Sequence, residues 1–399
     1  MSYSGISSTT PPEAEAGGRL VARTVQWRAV TAACLLAGLV TVVMPWQGWR
    51  LPVLFALGLA LGATLYRTSF GFTSAYRDFL LRHDTGGVRA QVLMLALATA
   101  LFAPALAAGS AFGYPVTGAF APLGAQVVAG AFLFGVGMQL AGGCGSGTLY
   151  SAGGGSARML VVLGFFCFGS FWASLHMSWW ERLPSRGEAV LGDLLGWTEA
   201  LLLQLAVLGA VWVWLGRIES KRTDRLSRSP GATARNSTLL VGAVLLAALA
   251  LLVLLVAGHP WSITWAFTLW GAKAALLLGW RPDESAFWNG DFQRRALESE
   301  VLGDVTSVMD IGIVLGAFAA AGIAGRFDVR RMPSPGPLAA AVIGGLIMGY
   351  GARIAYGCNI GAFFSGVAST SLHGWAWIIA ALGGNVIGIR LRPRFDLMN

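Results

Sequence analysis

Long apolar runs separated by short polar segments recur along almost the whole chain. An α-helix needs roughly 20 residues to cross a hydrocarbon core about 30 Å thick, and inside that core only helices and closed barrels satisfy their backbone hydrogen bonds. The sequence therefore predicts an all-α polytopic membrane protein. The apolar runs lie near residues 29–46, 51–66, 90–108, 124–142, 157–175, 197–215, 238–257, 261–280, 305–324, 337–353 and 374–389.

Composition agrees with residence in lipid. Charged residues make up 12% of the chain, against about 25% in a typical soluble domain. The formal net charge is +9, but the basic side chains lie between the spans, where the preference of cytoplasmic loops for Lys and Arg accounts for them. We therefore expect no nucleic-acid partner. Residues 1–28 begin with a stretch rich in Ser, Thr, Pro and Glu and predict a disordered tail, not a cleaved signal peptide.

The basic segments also predict an orientation. Residues 217–237 form the longest polar interruption and are strongly basic, so we predict a cytoplasmic linker. The N-terminus and the segment 67–89 fall on the same side, whereas the uncharged segment 109–123 is expected outside. The basic residues near 326–331 and 390–394 also look cytoplasmic. If every span crossed the membrane in alternation, these segments would not all lie on the cytoplasmic side. One span of the second half is therefore predicted to be re-entrant or split.

An internal repeat relates the two halves. Repeat 1 is predicted over residues 29–216 and repeat 2 over residues 238–392. Duplication of this kind is common in transporters, whose binding sites form near the bilayer midplane where the repeats meet. A shift of 214 residues, which carries Cys144 onto Cys358, also carries Gly130 onto Gly344, Gly135 onto Gly349, Gly137 onto Gly351, Gly143 onto Gly357, Gly147 onto Gly361, Ser151 onto Ser365 and Gly169 onto Gly383.

Each repeat carries one copy of the motif G-x-G-x(5)-G-C-x-x-G after an apolar span. Each glycine weakens a helix by about 1 kcal/mol relative to alanine, so the helices are expected to end near Gly142 and Gly357. A break inside a membrane is tolerated only where the backbone is buried in protein or lines a watery cavity. A new helix after each cysteine would direct its free N–H groups at whatever approaches the thiol, which favours an anion.

Glycine by itself has a plainer interpretation, because small residues let membrane helices pack closely. We prefer that interpretation for Gly58 with Gly62, Gly312 with Gly316, and Gly384 with Gly388. It does not account for a cysteine at the same register in both halves.

The remaining cysteines and histidines add no further site. Cys34 and Cys167 lie in plain apolar spans, where a free cysteine acts as a small hydrophobe. Two cysteines without a positioned histidine fall short of a structural zinc set, and no nucleotide-binding or hydrolase motif is present. We therefore predict no catalytic residue, no metal and no cofactor. A disulfide between Cys144 and Cys358 stays open, since spacing does not decide it.

Four stretches together resemble a known family. "GGCGSGTLYS", "YGCNIGAFFSG", "RTSFGFTSAYRD" and "HPWSITWAFTLWGAK" are similar to segments of the YeeE/YedE family of bacterial inner-membrane sulfur transport proteins, over roughly residues 30–390. The resemblance implies an hourglass-shaped transporter of pseudo-symmetric repeats, with broken or short helices and loops dipping toward the midplane. It also implies import of thiosulfate or a related sulfur anion, which the thiols of Cys144 and Cys358 would hydrogen-bond and hand on.

One departure from the family concerns a further cysteine after the first R-x-x-F, where this chain has Gly71. A relay with one thiol fewer leaves room for a different sulfur species, or for a path in which Gly71 only widens the mouth. The predicted substrate pathway consists of Cys144, Cys358, Gly143, Gly145, Gly147, Gly357, Asn359, Gly361, Gly71 and Arg67.

Three functional hypotheses follow. The first is a sulfur-anion transporter of the inner membrane with reduced thiols along one path. The second is a membrane sulfur carrier, in which one cysteine forms a persulfide for a soluble cytoplasmic sulfurtransferase; this chemistry favours positive charge near the thiol, which apolar, glycine-rich surroundings do not offer. The third is a small-solute channel without sulfur preference. Lys273 is either a functional intramembrane charge or a side chain that snorkels from a span end.

Overall fold

The structure is a computed structural model that describes residues 24–46, 48–223, 230–329 and 332–399. Within these ranges, nine helices are long and apolar enough to cross a membrane. The prediction of an all-α polytopic membrane protein is therefore confirmed. Residues 1–23 of the predicted tail and residues 224–229 of the predicted linker lie outside the described residues.

Most predicted spans correspond to one helix each. The basic linker is largely helical in its described part, because α10 and α11 extend into it from both sides. The helices are α1 (Trp27–Val43), α2 (Arg50–Thr68), α3 (Phe72–Arg82), α4 (Gly86–Ala108), α5 (Ala125–Ala141), α6 (Gly145–Gly153), α7 (Ala157–Ser174), α8 (Met177–Trp180), α9 (Leu191–Leu195), α10 (Trp197–Thr223), α11 (Pro230–Ala257), α12 (Thr264–Leu277), α13 (Asp291–Glu298), α14 (Val305–Ile323), α15 (Pro335–Ile354), α16 (Ser365–Ala368) and α17 (Leu372–Leu391).

Short elements complete the chain. A π-helix (Asn359–Phe364) runs directly into α16, and 3₁₀ turns cover Pro282–Glu284, Val301–Gly303 and Arg392–Phe395. Two antiparallel ribbons pair β1 (Ser110–Ala111) with β2 (Tyr114–Pro115) and β3 (Pro122–Gly124) with β4 (Ser185–Glu188).

Contacts between loops define two faces of the protein. On one face, Arg235 Nη2 lies 2.7 Å from a carboxylate oxygen of Asp84, and Arg89 Nη1 lies 3.0 Å from one of Glu219. Arg82 donates to the backbone carbonyl of the C-terminal residue. We call this the basic face, because described residues of two basic segments that the sequence predicts to be cytoplasmic, 67–89 and 217–237, meet here.

The opposite face is defined by a second set of contacts. Arg50 donates hydrogen bonds to the carbonyls of Val256 and Ala257 at the end of α11. The N–H of Leu191 donates to the carbonyl of Thr370 over 2.8 Å. Helices that the 214-residue shift pairs run in opposite directions between the two faces. α5 begins at the opposite face, where the N–H of residue 125 donates to the carbonyl of residue 184, whereas α15 begins beside residues 395–396 at the basic face.

One predicted span does not cross the membrane. After α11 reaches the opposite face, residues 258–263 turn back into the protein, and Trp261 and Ile263 are fully buried. α12 starts there and has 14 residues. At its far end, Lys273 donates to the carbonyls of Leu297 and Ser299. The span predicted near 261–280 therefore has the geometry of the re-entrant or split span that the sequence predicts in the second half.

Glycines set the closest helix contacts. A Cβ on Gly62 of α2 would lie 2.0 Å from the carbonyl oxygen of Ile313, and one on Gly316 of α14 would lie 2.0 Å from that of Leu59. Backbones at this distance leave no room for a side chain, so glycine is required on both helices. The packing interpretation of these glycines is confirmed.

Candidate functional site

Both predicted helix breaks are present. α5 ends at Ala141 and α6 begins directly after Cys144; α15 ends at Ile354, and the π-helix begins directly after Cys358. Gly142 has φ +83° and Gly357 has φ +156°, backbone conformations that glycine adopts far more readily than other residues. The motif glycines therefore end one helix and let the chain re-enter the next.

The Cys144 thiol lies at the start of α6 and is almost fully buried. Its sulfur lies 3.3 Å from the hydroxyl of Ser146. Backbone N–H groups of Gly147 and of Phe72, the first residue of α3, are also directed at the sulfur. The cysteine carbonyl accepts the first intrahelical bond, from the N–H of Thr148 over 2.8 Å. Two helix N-termini, those of α3 and α6, thus converge on one thiol.

The Cys358 thiol is buried in the equivalent position of the second half. The N–H of Ile360 lies 3.4 Å from its sulfur, and the N–H of Gly361 is also directed at it. A Cβ on Gly145 would lie 3.2 Å from this sulfur, so the two motifs meet in space. Both cysteines are free thiols, and no disulfide joins them.

Gly71 lies beside Tyr150 of α6 and lines a cavity on the side of the basic face. A Cβ on Gly71 would lie 3.2 Å from the Ser74 hydroxyl and 3.4 Å from that of Tyr150. A cavity of about 200 Å³ begins at this glycine. At its mouth, Arg235 pairs with Asp84. The cavity is lined by Thr68, Ser69, Gly71, Ser74, Ala75, Asp78, Asp84, Gly87, Arg235 and Leu239.

Sequence reasoning missed Tyr76, which the structure places against the second motif. The amide nitrogen of Asn359 lies 3.4 Å from the Tyr76 hydroxyl. The side-chain oxygen of Asn359 and the indole N–H of Trp261 are buried and have no partner within the described part of the chain. Buried polar atoms without a partner call for a ligand or a water molecule. Tyr76 lies in the stretch RTSFGFTSAYRD and Trp261 lies in HPWSITWAFTLWGAK. The resemblance of these two stretches to the family was the sequence signal that could have pointed to both residues.

The other predicted pathway residues divide into two groups. Gly143 lies against the first turn of α6, which contains Gly147, and Gly361 lies beside Ser262 of the re-entrant segment. Arg67 lies elsewhere: it is exposed at the end of α2 and lines a groove with Cys34 against α14. The structure brings the predicted glycines and both cysteines together and leaves Arg67 outside.

The site suits an anion better than a cation. Within the described residues, no group of three or more His, Cys, Asp or Glu side chains lies close enough to hold a metal ion. The groups directed at the two sulfurs are mainly backbone N–H groups, which form anion-binding concavities where helices begin. Soft sulfur beside N–H donors fits a ligand that carries both sulfur and oxygen.

Comparison with known proteins identifies the family of this chain and several similar transporters. The sulphur transport family model matches residues 67–387. The thiosulfate transporter TsuA of Spirochaeta thermophila is 29% identical over 350 residues, which cover 82% of this chain and 95% of the relative.

Two relatives from Escherichia coli K12 agree with this result. The thiosulfate transporter TsuA of that organism is 26% identical over 336 residues, covering 80% of this chain and 88% of the relative. The probable transporter YedE is 38% identical over 144 residues, covering 36% of this chain and 35% of the relative. The two TsuA relatives are named as transporters and YedE as a probable one, and with the family model they support the prediction of a non-enzymatic protein. Because the family model spans both cysteine motifs and most of the membrane helices, the chain belongs to the sulphur transport family, YeeE/YedE.

Proposed function

We propose that this protein imports thiosulfate, or a closely related sulfur anion, across the bacterial inner membrane along a path that passes Cys358 and Cys144. The meeting of the two buried thiols, each at the start of its own helix, carries the proposal. Membership of the sulphur transport family and two relatives named as thiosulfate transporters support it.

The chemistry of the anion matches these groups. Thiosulfate has a soft terminal sulfur, which suits a polarisable S–H, and three oxygens, which suit the N–H groups at helix starts. A neutral thiol binds such a dianion weakly. Conduction needs this balance, since a site must admit an ion and then release it.

The path is inferred to run from the opposite face to the basic face. Ser262 and Gly361 lie on the side of Cys358, whereas the backbone of Phe72, the residue after Gly71, interacts with Cys144, and Gly71 lines the cavity. The opposite directions of α5 and α15 support an inverted repeat, in which each half supplies one broken helix and one thiol to the path. A basic cytoplasmic face agrees with inward transport.

The persulfide carrier is less well supported by the geometry. Two ionisable side chains interact electrostatically with the Cys358 thiol, those of Cys144 and Asp310, and both are negative when ionised. A persulfide-forming cysteine favours neighbouring positive charge.

Uptake of radiolabelled thiosulfate tests the proposed function. In cells that lack their own sulfate and thiosulfate importers, we expect expression of the intact protein to produce uptake above that of the empty vector. Intact-mass spectrometry of the purified protein after incubation with thiosulfate is expected to show no added sulfur atom. No uptake together with added sulfur on a cysteine contradicts transport and supports the carrier.

Gly71→Cys tests where the path opens. The backbone at Gly71 is extended, with φ −132°, so any residue adopts it, and the nearest side-chain atoms are 3.2 Å or more from a Cβ. In a Cys34→Ala background, we expect a membrane-impermeant maleimide to label the introduced thiol from the basic face and to block uptake. The same background with Gly71 unchanged is the control, since Cys144 and Cys358 are buried. If the Gly71→Cys variant is not labelled from that face, the assigned opening is wrong.

A further inference from the structure

A carboxyl lies buried inside one of the membrane-crossing helices. Asp310 of α14 is fully buried, and neither of its oxygens has a hydrogen-bond partner among the residues that the structure describes. An ionised carboxylate in such surroundings is very costly, and intramembrane acids commonly mark ion pathways or proton relays. Such surroundings favour the neutral, protonated form of the carboxyl over the charged form.

Asp310 faces the interior that holds the thiols. One turn earlier on α14, Ser307 accepts a hydrogen bond of 2.9 Å from the indole of Trp270 in α12. One turn later, the carbonyl of Val314 lies against Gly153 of α6. Residues three or four apart share a helix face, so Asp310 is directed between α12 and α6. Both of these helices begin at the candidate site.

No cation among the described residues pairs with this carboxyl. Lys273 of α12 interacts with Asp304 at the start of α14 and donates to two carbonyls. The central part of α2 that packs on α14 contains no titratable residue, and α1 lies against the Leu315 side of the helix. The titratable groups that act on Asp310 or lie on elements packed around it are Cys358, Cys167 of α7, Asp304 and Tyr150 of α6.

We propose that Asp310 is a proton-binding site that couples anion import to proton movement; this rests on the proposed function. With Asp310 and both thiols neutral, no described residue that acts on Cys358 is negatively charged, and the anion is admitted. With Asp310 ionised, its charge repels the anion. Binding of the proton and of the anion therefore favour each other, and this coupling is reciprocal by thermodynamic necessity. One O–H bond forms at Asp310 from a proton taken at the opposite face, and the same bond breaks when that proton leaves toward the basic face.

Proteoliposomes that contain a pH-sensitive dye test this proposal. With the purified wild-type protein, we expect an inward thiosulfate gradient to acidify the interior, and a protonophore to abolish accumulation driven by an inward proton gradient. Asp310→Asn, which is permanently neutral, is expected to retain thiosulfate exchange between equal internal and external concentrations. The same variant is expected to lose both acidification and proton-driven accumulation.

Asp304→Asn is the matched control, because asparagine also caps a helix start well; it is expected to keep proton coupling. The proposal is overturned if the wild-type protein transports thiosulfate without moving protons. This test uses the wild-type protein alone, so it does not depend on whether the Asp310→Asn variant folds. It is also overturned if Asp310→Asn acidifies the vesicles as the wild type does. Absence of thiosulfate exchange in the wild type overturns the proposed function itself, so the two failures are distinguishable.

Discussion

Cys358→Ala and Cys144→Ala are each expected to lower the initial rate of thiosulfate uptake by roughly 10–100-fold, since a hydrogen bond to a charged group is worth about 1.5–3 kcal/mol. Each substitution removes the thiol that its motif contributes to the proposed path, while the backbone N–H groups stay in place. The measurement is uptake at matched membrane expression. Cys→Ser at either position keeps a hydroxyl donor and is expected to be intermediate.

Two further cysteines supply the control for these variants. Cys34 is exposed in α1 and Cys167 is partly buried in α7, and neither lies at a helix break. Cys34→Ala and Cys167→Ala are expected to transport as the wild type does. Uptake that survives both Cys144→Ala and Cys358→Ala would show that the helix breaks conduct the anion without the thiols.

Gly316→Ala is expected to destabilise the protein by about 3 kcal/mol, the upper end of the usual cost of overpacking. Its Cβ would lie 2.0 Å from the carbonyl oxygen of Leu59. The obstacle is backbone and not a flexible side chain, so α2 and α14 must separate. The thermal unfolding midpoint of the detergent-solubilised protein measures the effect. Because α2 leads to Gly71 and α14 carries Asp310, separation of these helices is expected to lower uptake as well.

Gly164→Ala provides the matched control on a helix of similar length. Apart from the neighbouring residues and the local backbone of α7 itself, no atom of the described structure lies within 4 Å of a Cβ at Gly164. Alanine favours a helix over glycine by about 1 kcal/mol, so the midpoint is expected to stay or rise. Equal midpoints for Gly316→Ala and the wild type would contradict the close contact between α2 and α14.

Several features of this protein follow from the sequence because they are local. Apolar runs of membrane-crossing length determine the fold class, since lipid offers the backbone no hydrogen-bond partner. Dense glycines around Cys144 and Cys358 predict where helices break, since glycine weakens a helix wherever it lies. The family resemblance, which the match over residues 67–387 confirms, rests on the same short stretches.

Other features depend on which helices pack together, and only the tertiary structure decided them. α12 is apolar like a crossing helix, yet it turns back because Trp261 and Ile263 are buried inside the protein. Arg67 is close to Gly71 in sequence but lies outside the site, whereas Tyr76 reaches Asn359 from 283 residues away. Asp310 stands out as a candidate proton-binding site only because no described residue of the folded chain pairs with its buried carboxyl. Local propensity determines where a helix starts and ends, but the contacts between distant helices determine which helix starts converge on the candidate site.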